Sequence, residues 1–207
     1  MIKIKICGIT NITDANIAVE EGADFLGFVF ADSPRKVSIE EASSIIDKVP
    51  EEVKIVALFV NEHKKFVDNV IDSLPKVDLL QFHGDEPAEY CNHFKDRKII
   101  KVIRIENNES VKQIEVFKGS IDYILLDTFN KDQYGGTGRS FDWEIAKKAK
   151  DYSIPIFLSG GLNPDNVKEA ISNVSPYAVD VSSGVEALPG KKDLKLLKKF
   201  INIAKES

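Results

Sequence analysis

Chemistry in this chain can start from Cys7. In the opening run Lys3-Ile4-Lys5-Ile6-Cys7-Gly8, Lys5 and Cys7 are two apart and share one face of an extended strand. Gly8 ends that strand and puts the sulfur at its tip. A lysine aimed into a core needs a carboxylate, with Asp127 or Asp180 as candidates, and it would favour a nearby thiolate. Model thiols titrate at about 8.5, so such tuning would suit Cys7 to act as a base near neutrality. The plainer reading is an inert core cysteine. Asp127 closes the apolar run Tyr123-Ile124-Leu125-Leu126. A carboxylate there is costly unless it reaches solvent, a partner or a substrate. A helix cap or a structural ion pair would satisfy it as well. At the ends of opposite strands, Asp127 and Cys7 would face each other as acid and base with a substrate between them.

A second signal is anionic. Leu158-Ser159-Gly160-Gly161-Leu162-Asn163-Pro164 runs from an apolar strand into a helix start, and Ser182-Ser183-Gly184 follows the next strand. Two amide-rich turns side by side suit a phosphate monoester, because glycine lets the anion approach the backbone. Taken singly, each turn could simply reverse the chain. Arg35, in Ser33-Pro34-Arg35, could clamp a carboxylate bidentately or stay solvated in its loop. His83 ends an apolar run and could face the same site, or be a hydrogen-bonded structural residue. His63 and His93 fall on expected helices and read as surface residues; Cys91 reads as packing. No cluster has metal-ligand spacing, so no metal is expected. Gly135-Gly136-Thr137-Gly138 lacks the order of a dinucleotide fingerprint.

The elements that must position these residues alternate along all 207 positions. Strands are expected at 2–7, 25–30, 53–60, 77–82, 99–105, 121–127, 154–158 and 177–181. Helical stretches are expected at 14–22, 38–48, 63–74, 86–94, 110–117 (weakly), 141–150, 163–172 and 192–204. Ser38 with Glu41 reads as a capping box, and Pro164 as a first helical residue. Eight strand–helix units in this length leave about 26 residues each, near the minimum for a βα repeat. The expectation is one α/β domain over 1–207, a (β/α)8 TIM barrel with a parallel eight-stranded core. A doubly wound sheet is the alternative, but its glycine-rich turn should follow the first strand, and here such turns come late. In a barrel the strand ends carry the site, with a phosphate cup after strands seven and eight.

Composition bounds the rest. A net charge of −5 argues against broad binding to nucleic acid or an anionic membrane. Two cysteines give no disulfide framework. No apolar run approaches the ~18 residues of a membrane span, and the N-terminus lacks a signal peptide's apolar stretch. A cytoplasmic protein is expected.

Several runs together resemble the phosphoribosylanthranilate isomerase family. They are Lys5-Ile6-Cys7-Gly8-Ile9-Thr10, Phe28-Val29-Phe30 with Ser33-Pro34-Arg35, Gln81-Phe82-His83-Gly84 and Leu126-Asp127. Gly135-Gly136-Thr137-Gly138 with Phe141-Asp142-Trp143, Ser159-Gly160-Gly161-Leu162 and Val179-Asp180-Val181-Ser182-Ser183-Gly184-Val185-Glu186 complete the series. One departure is Phe82, where the family often has leucine. The resemblance implies a cofactor-free Amadori rearrangement of N-(5-phosphoribosyl)anthranilate in tryptophan biosynthesis. It implies Asp127 as general acid, Cys7 as general base and Arg35 on the anthranilate carboxylate. Gly160, Gly161, Ser182, Ser183 and Gly184 would cradle the phosphate, and Asp180 would meet a sugar hydroxyl. Lys5 and His83 would complete the substrate site, and the Gly135–Gly138 loop would cover it. The expected partner is a small phosphosugar carrying an anthranilate group, with a homodimer left open and neither nucleic acid nor membrane expected. A decarboxylating cyclase on the same barrel would need a catalytic lysine and glutamates at strand ends. A non-catalytic phosphosugar binder should have lost the acid or the base.

Overall fold

Eight short apolar runs become eight parallel strands because a crossover separates each from the next. The computed structural model describes residues 2–128 and 142–207. In chain order it places β1 (Lys3–Cys7), α1 (Ile12–Glu20), β2 (Phe25–Val29), α2 (Ile39–Ile46), β3 (Lys54–Phe59), α3 (Lys64–Ser73), β4 (Val77–Phe82) and α4 (Ala88–His93). β5 (Lys98–Ile105), a 3₁₀ stretch (Ser110–Phe117), β6 (Tyr123–Thr128), α5 (Trp143–Ala149), β7 (Ile156–Leu158), α6 (Val167–Val174) and β8 (Ala178–Val181) follow. A hairpin of β9 (Glu186–Leu188) and β10 (Lys191–Lys192) then leads into α7 (Leu194–Lys205). β1 pairs with both β2 and β8, so the sheet closes into a barrel. That closure excludes the doubly wound alternative.

Alternation along the strands sorts side chains into two compartments. Phe25, Val56, Leu79, Ile100, Val102, Leu125, Phe157 and Ala178 fill the barrel interior near its floor. The outward-facing apolar residues pack with the helices in a larger layer that includes Ile4, Leu26, Leu80, Leu126, Val167 and Phe200. Each such large side chain fully removed from water contributes about 1.5–3 kcal/mol. The floor rim is tied by a repeated device. Asp24, Asp78 and Asp122 each accept a strand N–H, from Ile4, Ile55 and Ile99, and each pairs with a lysine, Lys3, Lys54 or Lys98.

The capping box on α2 forms as expected: Ser38 Oγ accepts from Glu41 N, and Glu41 accepts from Ser38 N. Three expectations need correction. α6 begins at Val167, so Pro164 is not its first residue. Asn163 and Asn166 instead turn the chain there: Asn166 Oδ1 accepts from Asn163 N, and Asn163 Oδ1 from Asp165 N. The weak helix after β5 is 3₁₀. The chain at 186–192 forms the small hairpin before α7, whose N-cap is Asp193. The expected start of a helix at Phe141, and the Gly135–Gly138 loop, lie outside the described residues.

Candidate active site

The C-terminal ends of the strands collect the groups that could do chemistry. Lys5 on β1 and Asp180 on β8 are register partners, and Lys5 Nζ donates to Asp180 Oδ1 at 2.7 Å. Asp180, rather than Asp127, is therefore the carboxylate that Lys5 needs. Burial opposes the lysine's charge, but Asp180 and Cys7 outweigh it and hold the ammonium above its usual range. Cys7, two residues on along the same face of β1, is buried, and its sulfur feels the Lys5 charge. Here the expectation of a readily formed thiolate is corrected. Burial pushes the Cys7 thiol up, and the pull of Lys5 and Lys192 downward does not offset it.

Asp127, next to last in β6, is buried in the barrel interior, and its Oδ1 accepts from Thr128 N at 2.8 Å. Gln81 Nε2 donates to His83 Nδ1 at 3.2 Å, which leaves the ring's Nε2 hydrogen to donate to Asp127 Oδ2 at 3.2 Å. His83 thus orients the candidate acid. Going round the barrel, β1 and β6 are separated by β8 and β7, so Cys7 and Asp127 are three strands apart and not diametrically opposed.

The two glycine turns meet. Gly160 and Gly161 adopt φ of +84° and +70°, conformations that other residues rarely take. A Cβ on Gly184 would stand 1.9 Å from the Leu162 carbonyl oxygen, so the second turn lies flush against the first. One cavity is lined by Asp127, Asp180, Ser159, Gly160 and Gly161 with Ser182, Ser183 and Gly184. Ser182 Oγ is buried without a hydrogen-bond partner among the described residues.

Arg35 is held where its loop folds back: Val37 N donates to Val29 O, and Arg35 N to Ser33 Oγ. Its stem crosses Gly8, where a Cβ would come 2.7 Å from Arg35 Cδ. The guanidinium does not hang free in its loop. Nε and Nη2 donate to Glu186 Oε1 and Oε2 at 2.9 and 2.7 Å. Glu186 also accepts from Lys192 Nζ at 3.0 Å, and Lys192 donates on to the backbone oxygen of Cys7 at 2.6 Å. The sequence reading gave no role to Glu186, Lys192, Gln81 or Gly27. Gln81 could have been found from its position two before His83 on one strand, and Gly27 from a glycine in a strand interior. Lys192 carries no signal, since it falls at the first position of the helix expected over 192–204. His63 and His93 are exposed and Cys91 is buried, as expected.

Among the described residues, no group of three or more His, Cys, Asp or Glu could hold a metal ion, and no helix is long and apolar enough to cross a membrane. A closed (β/α)8 barrel with buried carboxylates and glycine turns at the C-terminal ends of its strands defines a class, the TIM-barrel enzymes. The chain belongs to the N-(5'-phosphoribosyl)anthranilate isomerase family, whose model matches residues 4–203. It is therefore an isomerase. The N-(5'-phosphoribosyl)anthranilate isomerase of Trichlorobacter lovleyi is 49% identical over 208 residues, covering all of both chains. That of Geobacter sulfurreducens is 47% identical over 206 residues, 99% of each. The crystal structure of the Thermotoga maritima phosphoribosylanthranilate isomerase superposes with a TM-score of 0.93 at 42% identity over the whole of both chains.

Proposed function

We propose that the chain converts N-(5-phosphoribosyl)anthranilate to 1-(2-carboxyphenylamino)-1-deoxyribulose 5-phosphate, with Asp127 as general acid and Cys7 as general base. The observation that carries the reading is the single cavity shared by Asp127, Asp180 and both glycine turns. It joins a candidate proton donor to a candidate anion cup. A related isomerase, 41% identical with a TM-score of 0.89 over all of both chains, has been solved with the reduced form of this product.

The phosphate sits on the amides of Gly160, Gly161, Ser183 and Gly184, with Ser182 Oγ completing the cup. Asp127 gives its proton to the furanose ring oxygen as the C1′–O bond breaks, its electron pair passing to that oxygen. The nitrogen lone pair forms the C=N bond of an iminium. That cation acidifies the C2′ proton, which the Cys7 thiolate removes, leaving an enolamine that tautomerises to the ketose. Lys5 supports the thiolate, Asp180 meets a sugar hydroxyl, and Arg35 holds the anthranilate carboxylate. Each acid–base group is worth typically 10²–10⁴-fold.

Loss of anthranilate fluorescence on adding freshly made phosphoribosylanthranilate tests the reading. Wild type should convert it rapidly, and Cys7→Ala and Asp127→Ala should each fall by at least about 10²-fold. No conversion by folded wild type would overturn the function; full activity in Cys7→Ala would remove the cysteine as base. We also propose a cytoplasmic enzyme, which cell fractionation checks, and a homodimer. A Thermotoga maritima relative, 41% identical, is described as dimeric, and light scattering on this chain decides its own state.

A further inference from the structure

We propose that Glu186 is a specificity-positioning residue: by gripping one edge of Arg35 it presents the other edge to the substrate's aromatic carboxylate. The inference rests on the reading of Arg35 as the carboxylate clamp. A guanidinium has two edges that can each meet a carboxylate with two parallel N–H bonds. Glu186 takes the Nε–Nη2 edge, at 2.9 and 2.7 Å. Nη1 has no partner among the described residues, so the Nη1–Nη2 edge is the one left to bind an anion. The Arg35 stem lies against Gly8, where Ser182 Oγ also converges. An unheld arginine would sample many rotamers there; the Glu186 fork leaves one.

Glu186 is itself fixed. Burial disfavours its charge, but the bonds from Arg35 and Lys192 outweigh that and hold its carboxyl below the usual range. Lys192 Nζ anchors it to the backbone oxygens of Cys7 and Ser182, and the Gly190 N–H donates to Glu186 Oε1. Thr10 Oγ1 donates to Gly190 O, which ties the hairpin to the segment after β1. Carboxylate recognition is thereby keyed to the strand that carries the base.

Glu186→Gln isolates the fork. It keeps an oxygen for Lys192 and Arg35 Nε but sets an NH₂ group against Arg35 Nη2. Wild type and variant are compared on phosphoribosylanthranilate and on phosphoribosylaniline, which lacks the carboxylate, by chromatography of the ketose product. KM for the carboxylated substrate should rise about tenfold or more with kcat within about threefold, while the aniline substrate changes less than about twofold. In an Arg35→Ala background, Glu186→Gln should add nothing. Arg35→Lys, which keeps the charge but cannot form the fork, should give the same carboxylate-selective rise and serves if Glu186→Gln does not fold. Equal losses on both substrates would make Glu186 a plain strut and overturn the proposal. If Arg35→Ala leaves the preference for the carboxylated substrate intact, the reading of Arg35 fails and this inference with it. The acid–base assignment would stand.

Discussion

Lys5 Nζ lies 2.7 Å from Oδ1 of Asp180, its register partner on the neighbouring strand, and both side chains are almost wholly buried. An ion pair in a barrel interior is a poor source of stability but an effective way to keep a positive charge beneath a thiol. Removing one partner strands the other. Lys5→Met should therefore destabilise the fold by roughly 3–5 kcal/mol, read from the denaturant midpoint. Lys5→Met with Asp180→Leu should recover most of that stability without recovering turnover. Recovery of both would reduce the pair to packing.

Cys7 and Gly27 are also register partners, and the missing side chain at Gly27 is what gives the sulfur room. A Cβ there would meet Cys7 Sγ at 2.9 Å and Lys5 Nζ at 3.2 Å. Gly27→Ala should push the two apart. The thiol, already raised by burial, then loses the lysine that draws it down. Iodoacetamide alkylation of Cys7, measured in a Cys91→Ala background, should shift its rising limb to higher pH. An unmoved limb would show that Gly27 does not set the distance between sulfur and ammonium.

The same burial gives a pH dependence of stability. The folded thiol is raised above the ordinary thiol range by burial, so the folded chain keeps this proton where the unfolded chain loses it. Stability is therefore lost as pH rises above about 9. Lys5 acts in the same direction at higher pH: its contribution is full below 10.5 and fades as pH passes the raised folded value. Cys7→Ser should flatten the first part of this alkaline decline and leave the second. Thermal or urea unfolding from pH 7 to about 12, in a Cys91→Ala background because burial also raises that thiol, measures it, and an unchanged slope in Cys7→Ser would exclude the Cys7 thiol as its source.

The barrel was legible because its signal is local. β-branched runs and amphipathic stretches alternate, and β4 was placed at its observed ends, Val77 and Phe82. Cys7, Asp127 and the glycine turns could be read for the same reason, since each sits where a predicted strand stops. Partners were harder. Lys5 had two candidate carboxylates, and only closure of the ring between β1 and β8 chooses Asp180. Glu186 grips Arg35 from 151 positions away, and Lys192 reaches Cys7 from 185. No period or spacing in a chain encodes such distances. The protonation of Cys7 is not legible in the sequence, because a neighbouring lysine is visible there whereas desolvation is a property of the packed site.

Gly184 provides the sharpest test of the anion cup. A methyl group there would lie 1.9 Å from Leu162 O and 2.9 Å from Leu162 C, both backbone atoms that cannot rotate away. The β7 and β8 turns would have to separate, and their amides would no longer converge on one point. Gly184→Ala should weaken binding of ribose 5-phosphate at least about tenfold by calorimetry, since several charge-assisted bonds lose alignment together. Gly119→Ala is the control. Its φ of +79° makes alanine strained there too, yet a Cβ at that position meets nothing within 4 Å. It should cost about 1 kcal/mol in stability and leave phosphate affinity unchanged. Equal weakening in both variants would trace the loss to general destabilisation. Undiminished binding in Gly184→Ala would move the phosphate away from these turns altogether.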